Sequence, residues 1–451
     1  MTVQALPIHG TEAAQRDASM SAYDQLAASF VRTKVLHIEL DQALAKLNLR
    51  GEYSRALCFV TLHDQPIGFV SVDVPLNGVT AASLAAAIWR ELGQAIESHL
   101  SDDGLPAAGK LTARGLSAEA PRCREQDLRT ISAPPLVSVI IPTRDRAADL
   151  HSCLDALARV NYPAFEVIVV DNASRTSATR EAVLAHDGGL DLRYAREDRP
   201  GISHARNHGL SLAKGEITAC IDDDVRPAAG WLLGIARGFE QSQKVAAVTG
   251  LIVPRELETP AQSLFEGFAR FGKGMHSRTF DMGQQRPDDP LFPYALGAVG
   301  TGANFAFRTE ILRSLGGFDP SLGVGSPAHG GEDLEVLFRV LSSGYQIRYE
   351  PRATVYHAHP ADYRGLERRT YLYGVGLMAY LTKVLADDPR RVADVAGRLP
   401  RAIRHVVDPK SAKNATRGAG YPTSLVKAEL RGMLYGPLAY LKSRRSLAVA
   451  A

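Results

Sequence analysis

The sequence predicts an α/β protein whose main body is a mostly parallel sheet flanked by helices, with a small α+β domain before it and a helical region after it. Three observations carry this. From Val137 onward, apolar runs of strand length alternate with helical segments: Val137 to Ile141, Ala148 to Arg159, Phe165 to Val170, Thr179 to His186, Leu192 to Ala195, Ser203 to Ala213 and Ile217 to Ile221. Such alternation implies a parallel sheet with helices on both faces. The strand runs are rich in Val and Ile, as strands buried on both sides are. At 451 residues, the chain is longer than a single hydrophobic core usually supports, which favours two or three folded units.

Residues 1–34 read as a poorly ordered tail and 35–104 as a small α+β accessory domain. In the latter, Leu36 to Leu49 predicts a short helix closed by Gly51. The apolar runs Ala56 to Leu62 and Ile67 to Val74 flank His63-Asp64-Gln65-Pro66 and predict a hairpin. Thr80 then suits an N-cap, and Leu84, Ile88, Leu92, Ile96 and Leu100 form one apolar stripe that can pack on that hairpin. Residues 105–135, rich in Asp, Gly, Ala, Arg and Pro without periodicity, read as a linker. The main domain follows over 136–362, and 363–451 is a helical, basic region. Its cations include Arg390, Arg391, Arg398, Arg401, Arg404, Lys410, Lys413, Arg417, Lys427, Arg431, Lys442, Arg444 and Arg445. Gly432, Gly436 and Pro437 are expected to interrupt a long helix there. The basic face reads as solvated, with a membrane-surface role held open.

Composition narrows the function classes. With 45% hydrophobic and 22% charged residues, the chain is globular in type. A formal net charge of +3 is too balanced to point to nucleic acid. Cys58, Cys123, Cys153 and Cys220 sit far apart with no CxxC pair, so neither a zinc site nor a disulfide framework is expected. The N-terminus lacks the basic and apolar blocks of a signal peptide, and no stretch reaches ~18 unbroken apolar residues. A cytoplasmic location is expected, with attachment to the inner face of the membrane as the peripheral option.

In open α/β sheets, ligands bind beyond the carboxyl ends of the strands. Here those ends are polar: Pro142-Thr143-Arg144-Asp145, then Asp171-Asn172-Ala173-Ser174, then Asp222-Asp223-Asp224. A lone carboxylate such as Asp171 commonly caps a helix. Three consecutive carboxylates after an apolar strand are different, because their mutual repulsion grows with desolvation and calls for a cation. Hard oxygen ligands select Mg²⁺ or Mn²⁺, which also neutralise a diphosphate. Further on, Gly330-Gly331-Glu332-Asp333 opens a helix. Acidic residues suit a first turn, yet the preceding glycines allow close ligand approach, and Asp333 is placed to act as a general base. His357, in Val355-Tyr356-His357-Ala358-His359-Pro360, offers a second type of metal ligand. Arg206, in a helix start running from Gly201 to Gly209, suits phosphate. Gly302, Asn304, Glu332, Trp231 and the stretch Phe265 to Phe271 are candidates for the acceptor side.

Taken in order, "VSVIIPTRDR", "FEVIVVDNAS", "ARNHGL", "ITACIDDDVRP", "GTGANFAFRTEIL", "GGFDP" and "GGEDLEVLFRVLSSGYQIRYEP" resemble the inverting glycosyltransferases of family 2, whose fold is the GT-A nucleotide-diphospho-sugar transferase domain. The match runs from about Val137 to Pro360. The resemblance implies that Pro142, Thr143, Arg144 and Asp171 lie at the nucleoside and that Arg206 lies near it or the phosphates. It implies that Asp222, Asp223 and Asp224 form the DxD region, with Asp224 the principal metal ligand and Asp222 facing ribose or donor sugar. Asp333 matches the family's base, and similar galactofuranosyl- and rhamnosyl-transferase-like members use a histidine at the position of His357 as a metal ligand. The expected partners are a nucleotide-diphospho-sugar donor and a glycan, lipid-linked or other hydroxyl acceptor, in hexosyl or deoxyhexosyl transfer for cell-surface polysaccharide or glycoconjugate synthesis. The QxxRW signature of processive members is missing, which argues against a long-chain synthase.

Two other classes share parts of this pattern. A nucleotidyltransferase would want a glycine-rich basic loop after the first strand, where Pro142-Thr143-Arg144-Asp145 stands. A catalytically silent nucleotide-sugar-binding protein on the same fold would bind donor without turnover.

Overall fold

The computed structural model describes residues 23–24, 26–116, 121–269, 272–408, 411, 414 and 421–450. Most of the expected N-terminal tail, the linker residues 117–120, Arg270 and Phe271, and the basic residues Lys410, Lys413 and Arg417 lie outside them.

The N-terminal part is built on a three-stranded sheet, β1 (Thr33–Glu39), β2 (Arg55–Leu62) and β3 (Gln65–Asp73), in the order β1-β2-β3. β1 runs parallel to β2, and β2 pairs antiparallel with β3. This corrects the reading of Leu36 to Leu49 as a helix. Its first residues extend along β2, because pairing across the sheet outweighs the weak local helical spacing. Helix α1 (Ala81–Asp102) follows, with Thr80 Oγ1 accepting from Ser83 N. Its Leu84, Ile88, Ile96 and Leu100 join Val60, Leu62 and Val70 in one core. The stretch read as a linker contains helix α2 (Arg122–Ser132). That helix has little apolar periodicity to reveal it; Asp127 ties it to the main domain through Arg237 and Arg352.

The main domain follows the expected alternation: β4 (Val137–Thr143), α3 (Ala147–Leu157), β5 (Phe165–Asn172), α4 (Ala178–Leu184), β6 (Leu192–Glu197), α5 (Ile202–Leu212) and β7 (Ile217–Ile221). Next come β8 (Val225–Pro227), α6 (Trp231–Glu240), β9 (Val245–Pro254), α7 (Pro260–Ala269), β10 (Arg278–Phe280), β11 (Asn304–Arg308), α8 (Thr309–Ser314), α9 (Glu332–Ser342) and β12 (Gln346–His357). The nine-stranded sheet has the order β10-β12-β9-β11-β7-β4-β5-β6, with β8 paired to β12. The half from β6 to β7 is parallel throughout. Beyond it, β11 runs antiparallel to both β7 and β9, so the sheet as a whole is mixed α/β. Two apolar cores lie on its two faces, one holding Val139, Val167, Trp231 and Val355, the other Ile140, Ile168, Phe305 and Val336.

Three helices close the described chain: α10 (Tyr363–Asp387), α11 (Val392–Val407) and α12 (Thr423–Ala450). The expected interruption at Gly432, Gly436 and Pro437 does not occur, since α12 runs through all three. The glycines serve close packing instead. A Cβ at Gly432 would lie 2.0 Å from Tyr371 O of α10, and one at Gly374 of α10 would lie 2.2 Å from Glu429 O of α12. The backbones touch where side chains would hold them apart. Among the described residues, no helix is long and apolar enough to cross a membrane.

Candidate active site

The polar strand ends converge because β4, β5 and β7 are parallel neighbours and finish at one edge. Thr143 closes β4, Asp171 and Asn172 close β5, and Asp222-Asp223-Asp224 follows β7 directly. The chain then turns at once into β8, which pairs antiparallel with the end of β12, Val225 opposite His357. This pairing sets His357 beside Asp224. Ligand atoms of Asp222, Asp224 and His357 all lie within 4.8 Å of one another.

Each aspartate has its own surroundings. Asp223 is buried, accepts from Thr143 Oγ1 at 2.7 Å and from Arg146 Nη1 at 2.8 Å, and is pushed up to about 7, foremost by burial. It is thereby occupied in tying β4 to β7. Asp224 is also buried, but its Oδ1 has no hydrogen-bond partner and lies 3.7 Å from His357 Nε2. Burial raises its pKa, yet His357, Arg146 and Arg369 together outweigh that and hold the carboxyl below its ordinary value. Asp222 keeps 31% of its side-chain surface open and accepts from Arg206 Nη2 at 3.2 Å. Burial raises it to about 6 despite that arginine. His357 is pushed down to about 4 by burial, so near neutrality its imidazole is uncharged, the form that ligates a metal.

The second acidic position faces the first across Arg206. This arginine is 1% exposed, with Nη1 donating to Glu332 Oε1 at 2.9 Å and Nη2 donating to Gly302 O at 3.1 Å. Its guanidinium also lies 5.0 Å from the Phe305 ring centre. A fully buried arginine spanning two carboxylates is a fixed brace; it is not poised to move onto a phosphate. Glu332, the first residue of α9, is raised to about 7, first by burial and then by Asp333. Asp333 is only half-buried. Its Oδ2 accepts from Gly302 N at 2.9 Å, and its Oδ1 accepts from Leu334 N at 2.8 Å. Gly302 packs tightly here: a Cβ would lie 3.0 Å from Asp333 Cβ and 3.3 Å from Arg206 Nη2, so either side chain would have to shift by a few tenths of an ångström.

Other expected site residues fall in different places. Arg144 is exposed at the rim and Pro142 is buried within β4. Asp171 is buried and accepts from Tyr194 Oη at 2.8 Å and Arg196 Nη1 at 3.3 Å. Asn304 and Trp231, expected on the acceptor side, are in the core. Trp231 Nε1 donates to Asn304 Oδ1 at 2.9 Å, and Asn304 Nδ2 donates to Leu251 O and Ala353 O. Phe265 is buried against the His359 ring.

Three residues at this site were not singled out from the sequence. Arg146 pairs with Asp223 and Asp224 from the loop before α3. Arg369, on α10, acts on both Asp222 and Asp224. Glu266 accepts from, or shares a proton with, His359 Nε2 at 2.7 Å, while His359 Nδ1 lies 3.4 Å from His357 Nδ1. Arg146 was within reach of the strand-end rule, two residues past Arg144. Arg369 and Glu266 had no local signal.

Residues 138–316 match the family described as glycosyl transferase family 2. The pre-mycofactocin glycosyltransferase of Mycobacterium tuberculosis strain H37Rv is 29% identical over 281 residues, covering 60% of this chain and 54% of the relative. The probable glycosyltransferase YdaM of Bacillus subtilis is 26% identical over 260 residues, covering 56% and 58%. The chain thus spans about half the length of the curated relatives it matches. Among solved structures, the mannosyltransferase PcManGT of Pyrobaculum calidifontis, in complex with GDP-Man and Mn²⁺, aligns at 23% identity and a TM-score of 0.40, covering 73% of this chain and 81% of that one. TarS residues 1–349 of S. aureus, with UDP-GlcNAc, align at 15% identity and a TM-score of 0.41, covering 69% and 92%.

Proposed function

We propose that the chain, whose residues 138–316 match glycosyl transferase family 2, transfers a sugar from a nucleotide-diphospho-sugar to an acceptor hydroxyl with inversion, assisted by a divalent metal. The observation that carries this reading is the cluster of Asp222, Asp224 and His357, within 4.8 Å of one another and braced through Arg206 to the helix that bears Asp333. The ligand set fits such an ion. Asp224 Oδ1 is buried without a hydrogen-bond partner, and two carboxylates with a neutral imidazole suit Mn²⁺ or Mg²⁺.

In this proposal Asp224 and His357 hold the metal, with Asp222 beside it toward the donor. When bound, the metal offsets the charge that develops on the departing nucleoside diphosphate. Asp223, fixed by Thr143 and Arg146, keeps the loop in shape. Thr143, Arg144 and Asp171 border the nucleoside side. Asp333 accepts the proton of the acceptor hydroxyl, and its two backbone donors, Gly302 N and Leu334 N, aim and stabilise the carboxylate. Glu332 and Arg206 position that base from behind. Peripheral membrane attachment is proposed through α12, where Leu434, Leu438 and Leu441 are exposed near Arg431, Lys442, Arg444 and Arg445. Co-sedimentation with anionic vesicles, reduced in Leu434→Asp, tests this attachment.

The test of the reaction uses a panel of nucleotide sugars with Mn²⁺ or Mg²⁺. One donor is expected to raise the unfolding temperature only when metal is present. Asp333→Asn should keep that shift and lose turnover, and unchanged turnover in Asp333→Asn removes the assignment of the base.

A further inference from the structure

We propose that the chain carries a second metal site, a structural zinc centre formed by His63, His99, Asp103 and Cys123 where the accessory domain meets α2. Ligand atoms from these four residues all lie within 4.8 Å of one another. They come from separate parts of the chain: the β2-β3 turn, the last turn of α1, the residue just after it, and the first turn of α2. The separations are close: His63 Nδ1 to His99 Nε2 3.1 Å, His63 Nδ1 to Asp103 Oδ2 2.9 Å, His99 Nε2 to Asp103 Oδ2 3.2 Å and Cys123 Sγ to Asp103 Oδ2 3.0 Å. Zinc bond lengths of about 2.0–2.3 Å give tetrahedral edges of about 3.3–3.7 Å. Small side-chain shifts therefore open the cluster to hold the ion.

Hydrogen bonding alone satisfies this cluster poorly. His63, His99 and Cys123 all converge on one oxygen of Asp103. If both imidazole nitrogens carry protons, two N–H groups oppose each other 3.1 Å apart; if one does not, it accepts from the other ring, but its lone pair also lies about as close to the Asp103 carboxylate. A cation at the centre removes both conflicts. Three further observations point the same way. Asp103 is buried at the C-terminal end of a helix, where the helix dipole disfavours an anion. His63 is 1% exposed at a turn with φ 56°, a left-handed conformation that is costly outside glycine, and its backbone is held there by Glu39. Cys123 enters from a helix N-terminus, the end that favours a thiolate.

Two nitrogens, one sulfur and one carboxylate match zinc better than the hard ions suited to Asp222 and Asp224. Four protein ligands fill a tetrahedron and leave no open position, which marks a structural role. On metal binding the thiol proton leaves to solvent and the ion replaces Asp103 as the partner of the sulfur. A cleft lined by Gln65, His99, Asp102, Asp103, Arg122 and Cys123 gives the ion a path. The consequence is mechanical. The centre fastens α1 to α2, and α2 is in turn ion-paired through Asp127 to Arg237 of α6 and Arg352 of β12. The accessory domain would then be locked against the main sheet.

The test uses the full chain, stripped with a chelator and titrated with Co²⁺ as a spectroscopic stand-in. Expected are intense tetrahedral visible bands with a thiolate-to-metal charge-transfer band, displaced by Zn²⁺ and saturating at one equivalent once the other proposed metal site is removed by Asp224→Asn. Cys123→Ser should abolish the charge-transfer band, and Asp224→Asn should leave it intact. A wild-type spectrum without a sulfur band, or one unchanged in Cys123→Ser, overturns the proposal. Because the wild-type titration reads the sulfur ligand directly, misfolding of a variant does not rescue it.

Discussion

The two metal-ligand clusters are built on opposite plans. Asp222, Asp224 and His357 stand at the carboxyl edge of a parallel sheet, with a third of the Asp222 side chain reaching solvent. His63, His99, Asp103 and Cys123 sit between a turn and two helix ends, each at least half-buried and three of them buried. The first offers hard oxygens and leaves room for a diphosphate; the second mixes nitrogen, sulfur and oxygen and closes on itself. An ion that must meet a substrate is served by an incomplete shell, whereas one that holds helices together is served by a complete one.

The widest separation between the two is expected in turnover. Asp333→Asn should lower kcat by about 10²–10⁴-fold while the cobalt spectrum at the His63 cluster stays as in the wild type; steady-state kinetics and absorbance on one preparation read both. Next in size is Arg206→Met, which leaves Asp222 and Glu332 without their shared cation. Breaking a buried pair of this kind costs about 3–5 kcal/mol, seen as an earlier denaturant midpoint. An unchanged midpoint would show that the brace carries no stability.

Away from both clusters, Gly432→Val places a side chain where α12 touches α10. Overpacking of this sort costs about 1–3 kcal/mol and should lower the thermal midpoint without altering either metal titration. Smallest per step of the variable changed is a pH slope. Glu332 is raised to about 7 by burial and Asp333, so between its ordinary value near 4.5 and about 7 the native state binds more protons than the unfolded chain. Stability then falls as pH rises across that window, by at most about 1.4 kcal/mol per pH unit for one proton. Unfolding curves from pH 4.5 to 7 should be flatter in Glu332→Gln, and parallel curves would remove Glu332 as the source.

Legibility in the sequence followed how local each signal is. The β4-to-β7 alternation could be read because Val and Ile runs declare strands without knowledge of their neighbours, and the acidic triplet because its three members are adjacent. Leu36 to Leu49 misled, since an edge strand paired to β2 takes its conformation from the partner. Gly432, Gly436 and Pro437 misled for a related reason: local propensity disfavours a helix there, but close contact with α10 repays it.

What the sequence determined by itself, then, is the kind of chemistry at the Asp222 edge, because three consecutive carboxylates after a buried strand impose their own electrostatic demand. Only the tertiary structure decided which residues complete each cluster. His357 lies 133 positions after Asp224 and meets it solely because β8 pairs with β12. Cys123, unremarkable without a CxxC partner, meets His63 and His99 solely because α2 packs at the end of α1. Ligand sets gathered across such chain separations are selected by packing, which no local pattern of residues records.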